Sequence, residues 1–357
     1  MDGTDQARTT NGTAQDHAAP VVTVVIPTHN RRRLVQRAVK SALGQSLSDI
    51  EVLVLDDGSS DDTCASIKAM GDARVRLICG RRKRGAGYRR AQGAREARGR
   101  YVAFLDSDDY WGPHKLSEQV RAAERAGAPV CVASSFFTVI GADVMPARKP
   151  KLRAGERIAH YLYRRGGTLQ TSGLLVDAEL GQRVRFDPNL SVHQDTDFCL
   201  RLEQAGARFV FLDQRLYFHD VDRKRERISG DSSVLVASRQ WFARTSASWT
   251  PAERRGFLLC DYTERLASLG FLRQARAAYL SNFDLGIGLK RLVRLGALAM
   301  FGSGVLRFLP GPQRLASLWR RGGGAKPLRL GSRRKQPVQF AHSPPRVAAA
   351  EKAQRDR

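Results

Sequence analysis

Residues 21–30 read VVTVVIPTHN, and this stretch decides the fold. Its β-branched residues run on without polar alternation until Pro27, Thr28 and Asn30 end the run. Such a run predicts a strand buried on both faces, the usual state in a parallel sheet covered by helices. Leu34, Val35, Ala38, Val39 and Leu43 follow at helical spacing, with Gly44 at the stop. Working outward, residues 51–55 (EVLVL) form a second buried strand that ends abruptly in Asp56-Asp57-Gly58-Ser59-Ser60. Asp61, Asp62 and Thr63 stand where a helix cap belongs, ahead of Ile67 and Met70. A third strand over 75–79 leads into the Gly85-Ala86-Gly87 turn and a helix through Ala97. Residues 101–105 (YVAFL) are a fourth strand, running into Asp106-Ser107-Asp108-Asp109. This β-α-β-α-β-α-β order predicts the α/β class: a Rossmann-like, mostly parallel sheet flanked by helices on both faces.

The pattern continues with a helix over 116–126 and a strand over 130–137. Shorter, mixed elements fill 152–220, and beyond about residue 231 the pattern is helical. The expected organisation is a flexible polar arm (1–20), an α/β domain (21–230), a helical region (231–310) and a basic disordered tail (311–357). The first residues, MDGTDQARTTNGTAQDHAAP, have neither a basic nor an apolar segment of the secretory kind. No apolar run reaches the ~18 residues a spanning helix needs. The five cysteines (64, 79, 131, 199 and 260) are odd in number and lack CxxC spacing. They argue against a disulfide framework or a zinc site and point to a reducing, cytoplasmic setting.

The net charge is +25, which raises the question of a nucleic-acid partner. Its distribution answers it. Twelve Lys/Arg against two acids lie in residues 311–357, and nine against one in residues 81–100. The first set is a solvated tail. No helix-turn-helix, zinc pattern or aromatic-rich strand motif accompanies the charge, so a nucleic-acid partner is not expected. The second set falls between two acidic clusters, Asp56/Asp57 and Asp106/Asp108/Asp109, each at the carboxyl end of a strand. In open α/β sheets ligands bind at those ends. Crowded carboxylates need a compensating cation, and a hard divalent ion is the usual one. One Asp-Asp pair would read as turn chemistry; two clusters read as a metal-and-nucleotide site. Gly85, Gly87, Arg89 and Arg90 would offer amides and guanidinium groups to a diphosphate.

In their order, VVIPTHNRRRLVQRAVKSALGQS, VLVLDDGSSDDT, GAGYRRAQGAREARGRYVAFLDSDDYWGPHKL and HQDTDFCLRLEQAG resemble the motifs of the inverting family 2 glycosyltransferases of GT-A fold. The resemblance covers residues 21–220. It implies a hexosyltransferase-type enzyme using a nucleoside-diphosphate-sugar, a UDP-sugar by the family's commonest habit. The acceptor would be a glycan or lipid-linked hydroxyl in cell-envelope or polysaccharide synthesis. Pro27, Thr28, Asn30, Asp56 and Asp57 would line the nucleotide pocket, with Arg90, Asp106 and Ser107 nearby. Asp106 and Asp108 would be the DxD pair and, with His219, would hold Mg2+ or Mn2+. Asp195 would be the catalytic base, with Asp197 a weaker candidate.

Two departures stand out: Ala91 where the family usually has Asn, and Gln194 where it commonly has Glu before the base. By spacing alone Asp195 reads as a helix cap, and a helix N-terminus lowers a carboxylate's basicity. A haloacid-dehalogenase-like phosphatase also carries a DxD after an apolar strand. That motif wants Thr or Val after the second Asp and opens its domain, whereas Asp109 follows here and the motif ends the fourth strand. Finally, residues 289–309 mix Leu, Val and Phe with Lys290, Arg291, Arg294 and Arg307. That mixture suits a helix lying in a membrane interface, drawn to anionic lipid at the cytoplasmic face.

Overall fold

The computed structural model describes residues 19–221 and 232–302. Most of the expected arm and all of the basic tail therefore lie outside the described residues. Strands β1 (Val22–Thr28), β2 (Ile50–Asp56), β3 (Val75–Cys79) and β4 (Tyr101–Phe104) pair in parallel in the order β3-β2-β1-β4. Every residue of β1, β2 and β4 is buried, as the unbroken apolar runs require. Alternate side chains divide between the two faces. Val25, Leu53, Leu55, Val102 and Phe104 pack under α3 (Ala86–Glu96) and its neighbours. Val24, Ile26, Val52, Val54 and Ala103 pack under α1 (Arg32–Leu43) and α4 (Lys115–Ala126). Helix α3 lies close to β1 because Gly93 faces it; a Cβ there would stand 2.3 Å from Val25 Cγ1.

Beyond β4 the sheet becomes mixed. β8 (Leu174–Asp177) lies antiparallel between β4 and β6 (Val130–Ile140). β9 (Arg208–Asp220) runs parallel to β6 with a register break at Ser134–Phe136, and β5 (Tyr110–Trp111) pairs antiparallel with β9. A hairpin strand, β7 (Asp143–Pro146), pairs with β6. The expected mostly parallel sheet thus describes the first half. In the second half, antiparallel insertions need no crossover helix and are permitted by shorter connections.

Helices α2 (Thr63–Lys68), α5 (Ala178–Val184) and α6 (Gln194–Gln204) complete the α/β layers. Five more follow: α7 (Ser233–Thr245), α8 (Pro251–Phe257), α9 (Thr263–Ser268), α10 (Leu272–Ser281) and α11 (Leu289–Phe301). Trp241, Trp249 and Phe257 join the same buried cluster as Phe198 of α6, so α7 and α8 extend the central core. Helices α9, α10 and α11 bury Leu266, Ala275, Leu298 and Ala299 together. No helix among the described residues is long and apolar enough to cross a membrane.

The cysteines correct the sequence reading. Cys64 of α2 and Cys79 at the end of β3 form a disulfide, although count and spacing argued against one. The pairing is hidden in the sequence because α2 and the end of β3 become neighbours only once β3 has added to β2. Cys131, Cys199 and Cys260 are free and buried.

Candidate active site

The strand order turns back on itself at the β1/β4 boundary, with β2 and β3 on one side and β8 on the other. In open α/β sheets ligands bind outside the carboxyl ends of the strands at such a switch point, and Thr28 and Asp106 sit at those ends of β1 and β4. Asp57 N–H donates to Thr28 O at 2.8 Å, tying the β2 end to the β1 end. The Thr28 hydroxyl and His29 Nδ1 are buried with no hydrogen-bond partner among the described residues. Unpaired buried polar atoms are costly unless a ligand or water meets them. Asn30, at φ 49°, accepts from Ser60 N–H at 2.8 Å and receives Ser59 as an acceptor for its own N–H at 2.8 Å. The two loops of the crevice are thereby locked to each other.

Asp56 and Asp57 are both buried, and neither leaves its charge uncompensated. Asp56 accepts from Gly58 N–H and Ser59 N–H (3.1 and 2.9 Å) and from the Ser59 hydroxyl. Asp57 accepts from Arg84 N–H, Gly85 N–H and Arg89 Nε at 2.7–2.8 Å. The expectation that Gly85 and Arg89 face a phosphate needs correcting here. The Gly85 amide and the Arg89 guanidinium are engaged by Asp57, because a carboxylate buried beside them takes the nearest donors. Gly87 packs against Asp187 O and Gln194.

Asp106, Ser107 and Asp108 follow β4. Asp106 pairs with Arg90 Nη2 at 2.6 Å, and Asp108 pairs with Arg31 Nη1 at 2.9 Å. Arg31 Nη1 also lies 3.3 Å from the Ser107 hydroxyl. The compensation expected from a cation is supplied here by two arginines. Arg31 carried no signal in the sequence beyond its place in the Arg31-Arg32-Arg33 run. Asp109 turns the other way, is 2% exposed, and accepts from the Ser172 hydroxyl (2.6 Å) and Asp220 N–H (3.0 Å). His219 Nδ1 stands 3.2 Å from Asp109. Burial raises the Asp109 pKa, with the nearby Asp106 and Asp108 adding to the rise and His219 opposing it. Burial alone would lower the His219 pKa, but the Asp109 contact and the other two carboxylates raise it.

Among the described residues no three His, Cys, Asp or Glu side chains already form a cluster able to hold a metal. The donor chemistry nevertheless fits a hard divalent ion. Asp106 and Asp108 supply carboxylate oxygens that keep 29% and 25% side-chain exposure. His219 has one ring nitrogen held by a carboxylate, the arrangement that orients a ligating histidine.

Asp195 lies in the first turn of α6. Its carboxylate accepts from Thr171 N–H at 3.2 Å and from the Thr171 hydroxyl. Burial raises its pKa and Asp106 adds to the rise, while Arg90 and the Thr171 hydrogen bonds oppose it. The lowered basicity expected at a helix N-terminus is thus outweighed by burial. Asp197 is engaged differently: Trp241 Nε1 donates to it at 2.9 Å and Arg201 Nε at 2.7 Å. Arg90 joins the pieces. Its Nη1 donates to Gln194 Oε1 at 2.6 Å while its Nη2 holds Asp106. The DxD segment and the segment bearing Asp195 therefore meet on one guanidinium. Gln194, read in the sequence only as a departure, is the residue that makes this junction.

The segment is anchored from behind by His193, at φ 60°. Its ring stacks on Trp241 at a centroid distance of 4.2 Å and its Nε2 meets the Ser238 hydroxyl at 2.8 Å. Burial pushes the His193 pKa down to about 4, against the raising effect of Asp261.

A model of the family described as "Glycosyl transferase family 2" matches residues 23–175. Over 219 residues the chain is 30% identical to the amylovoran biosynthesis glycosyltransferase AmsB of Erwinia amylovora, covering 58% of this chain and 73% of that one. Over 113 residues it is 44% identical to the succinoglycan biosynthesis protein ExoO of Rhizobium meliloti, covering 32% of each. The chain thus spans about a third of ExoO. Among solved structures, the mannosyltransferase PcManGT from Pyrobaculum calidifontis, in complex with GDP-Man and Mn2+, superposes with a TM-score of 0.52 at 17% identity. That match covers 86% of this chain and 87% of that one, and it supports the GT-A fold.

Proposed function

This chain belongs to glycosyl transferase family 2, and from that premise we propose that it transfers a sugar, with inversion, from a nucleoside-diphosphate-sugar to an acceptor hydroxyl in polysaccharide synthesis. The observation that carries the reading is Arg90, which holds Asp106 and Gln194 at 2.6 Å each and so sets Asp195 beside the DxD segment. A donor's diphosphate and an acceptor's hydroxyl need that proximity.

Thr28, with its unpaired buried hydroxyl, and the locked Asn30–Ser59 loops line the crevice for the nucleoside. Pro27, Asp56, Asp57 and Ser107 would complete the lining from the strand ends. Arg31 and Arg90 are the preorganised positive groups at the diphosphate, where negative charge grows as the glycosidic bond breaks. Asp106, Asp108 and His219 would hold Mg2+ or Mn2+, which supplies Lewis-acid stabilisation to the leaving diphosphate. Asp195 takes the acceptor's proton, and its raised pKa brings its basicity closer to neutrality. Thr171 fixes the carboxylate's orientation through its amide and hydroxyl. One displacement from the face opposite the leaving group inverts the anomeric centre.

The acceptor reading extends to a lipid-linked glycan at an anionic membrane surface. Leu285, Leu289 and Phe301 are each at least 70% exposed, and Val293 is 57% exposed. Helix α11 buries Leu292, Leu295 and Leu298 on its packed face, so it is apolar on two sides. Lys290 and Arg294 stand among the exposed apolar residues, as an interfacial helix requires.

A thermal-shift panel of UDP-, GDP- and dTDP-sugars with and without Mn2+ tests the donor reading, since a ligand of the folded state raises Tm by mass action. A shift for one nucleotide class that chelation reduces is expected. No shift for any nucleotide would overturn it.

A further inference from the structure

Besides the crevice at the strand ends, the chain holds a cavity of about 360 Å³ between the α/β domain and the C-terminal helices. One wall is Tyr163, Thr168, Leu169 and Thr196; the other is Asp261, Glu264, Arg265 and Arg291. The first wall is built from the immediate neighbours of the Asp195 contact. Thr196 follows Asp195, and Thr168 and Leu169 lead into Thr171, which holds the Asp195 carboxylate. The second wall lies outside residues 23–175, the part of the chain that matches the family model.

The chemistry of the lining is specific. The second wall carries two carboxylates and two guanidinium groups, so its formal charge balances. Arg265 is held by both oxygens of Asp261 at 2.6 and 3.2 Å, and Arg291 Nη1 reaches Tyr163 O at 3.3 Å. Glu264 meets Arg294 at 3.1 Å at the outer edge. The opposite wall brings the Thr168 and Thr196 side chains, and Leu162 and Leu169 supply an apolar surface. A lining of balanced charges, threonines and leucines suits a neutral polyol with one apolar face. An isolated phosphate would meet as much negative as positive charge. The volume lies within the range of small-molecule sites, about 300–1,000 Å³.

We propose that this cavity binds an uncharged pyranose of the acceptor glycan, and that the C-terminal helices thereby select the acceptor. The inference rests on the glycosyltransferase reading above and deepens it. Donor recognition then belongs to the strand ends, and acceptor recognition to the junction with α9 and α11.

The test is saturation-transfer NMR of the full chain with methyl glycosides of glucose, galactose, mannose and N-acetylglucosamine, one at a time. At least one glycoside should receive saturation, and an excess of UDP or GDP with Mn2+ should leave its signal in place. Glu264→Gln should weaken that binding on the order of tenfold, as expected for losing a charge-assisted hydrogen bond. Thr168→Phe, which fills the cavity without removing a charged group, should abolish the signal. Nucleotide-induced Tm shifts are recorded on the same samples and should match wild type in both variants. The proposal is overturned if no glycoside binds, if nucleotide displaces the glycoside, or if both variants bind it unchanged. Nucleotide binding without glycoside binding refutes this cavity alone; no nucleotide binding refutes the donor reading itself.

Discussion

Acidification should loosen the chain through His193. In the unfolded chain the imidazole titrates at the ordinary 6.5, whereas burial holds it near 4 in the folded state. Between those values the unfolded state binds a proton that the folded state does not. This contribution to stability is therefore full above about pH 6.5 and falls as pH drops toward 4. Linkage gives a loss of about 2 kcal/mol by pH 5 and about 3 kcal/mol by pH 4 from this one group. The ring is 3% exposed, so solvent screening takes little from that figure. The matched variant is His193→Asn, because Asn tolerates the left-handed backbone found there. It loses the stacking on Trp241 at every pH, but it carries no titratable group. Urea unfolding followed by tryptophan fluorescence at pH 7.5, 6.5, 5.5 and 5.0 measures the difference. The wild type should lose about 2 kcal/mol more than the variant between pH 7.5 and 5.0. Parallel stability curves for the two proteins would refute the assignment of a buried, neutral His193.

Asp195→Asn should retain the nucleotide-induced Tm shift while turnover falls about a hundredfold or more, the usual size of a lost general base; near-normal turnover would move the role elsewhere. Wild-type turnover should fall as pH drops through the raised Asp195 pKa, because only the ionised carboxylate accepts a proton. Asp108→Ala should abolish transfer, and transfer that persists and ignores chelation would end the metal reading. Replacing two exposed apolar residues of α11 together, Val293→Asp and Phe301→Asp, should abolish salt-sensitive co-sedimentation with anionic liposomes while Tm stays within a few degrees of wild type. Unchanged sedimentation would show that this face does not meet lipid.

The parallel half of the fold was legible because its information is local. β1, β2 and β4 are unbroken apolar runs, and their ends are marked by Pro27, Asp56 and Asp106. The mixed half was not. β9 crosses Asp213, Gln214 and Arg215 and is accommodated by a register break, so no simple period marks it. β5 is two residues long and exists only because β9 is there to pair with. In the site, residue types were legible and their partners were not. Asp56 and Asp106 both read as crowded acids that need a compensating cation. Asp56 instead folds its own turn, and Asp106 meets Arg90. The contact between His193 and Trp241 joins residues 48 positions apart in the chain, and only the packing of α7 against α6 creates it.

That contact limits how freely such chains can be recombined. The segment carrying Asp195 is gripped by Arg90 from the strand-end side, and by Ser238 and Trp241 from the helices that follow. A chimera that joined residues 1–221 to the helical region of a relative would inherit the crevice intact. Unless the borrowed helices presented equivalents of Ser238 and Trp241 to His193 and Asp197, the segment bearing Asp195 would lose its backing. Modularity in this architecture therefore has a seam that does not follow the chain: the graftable unit is the α/β domain together with α7 and α8.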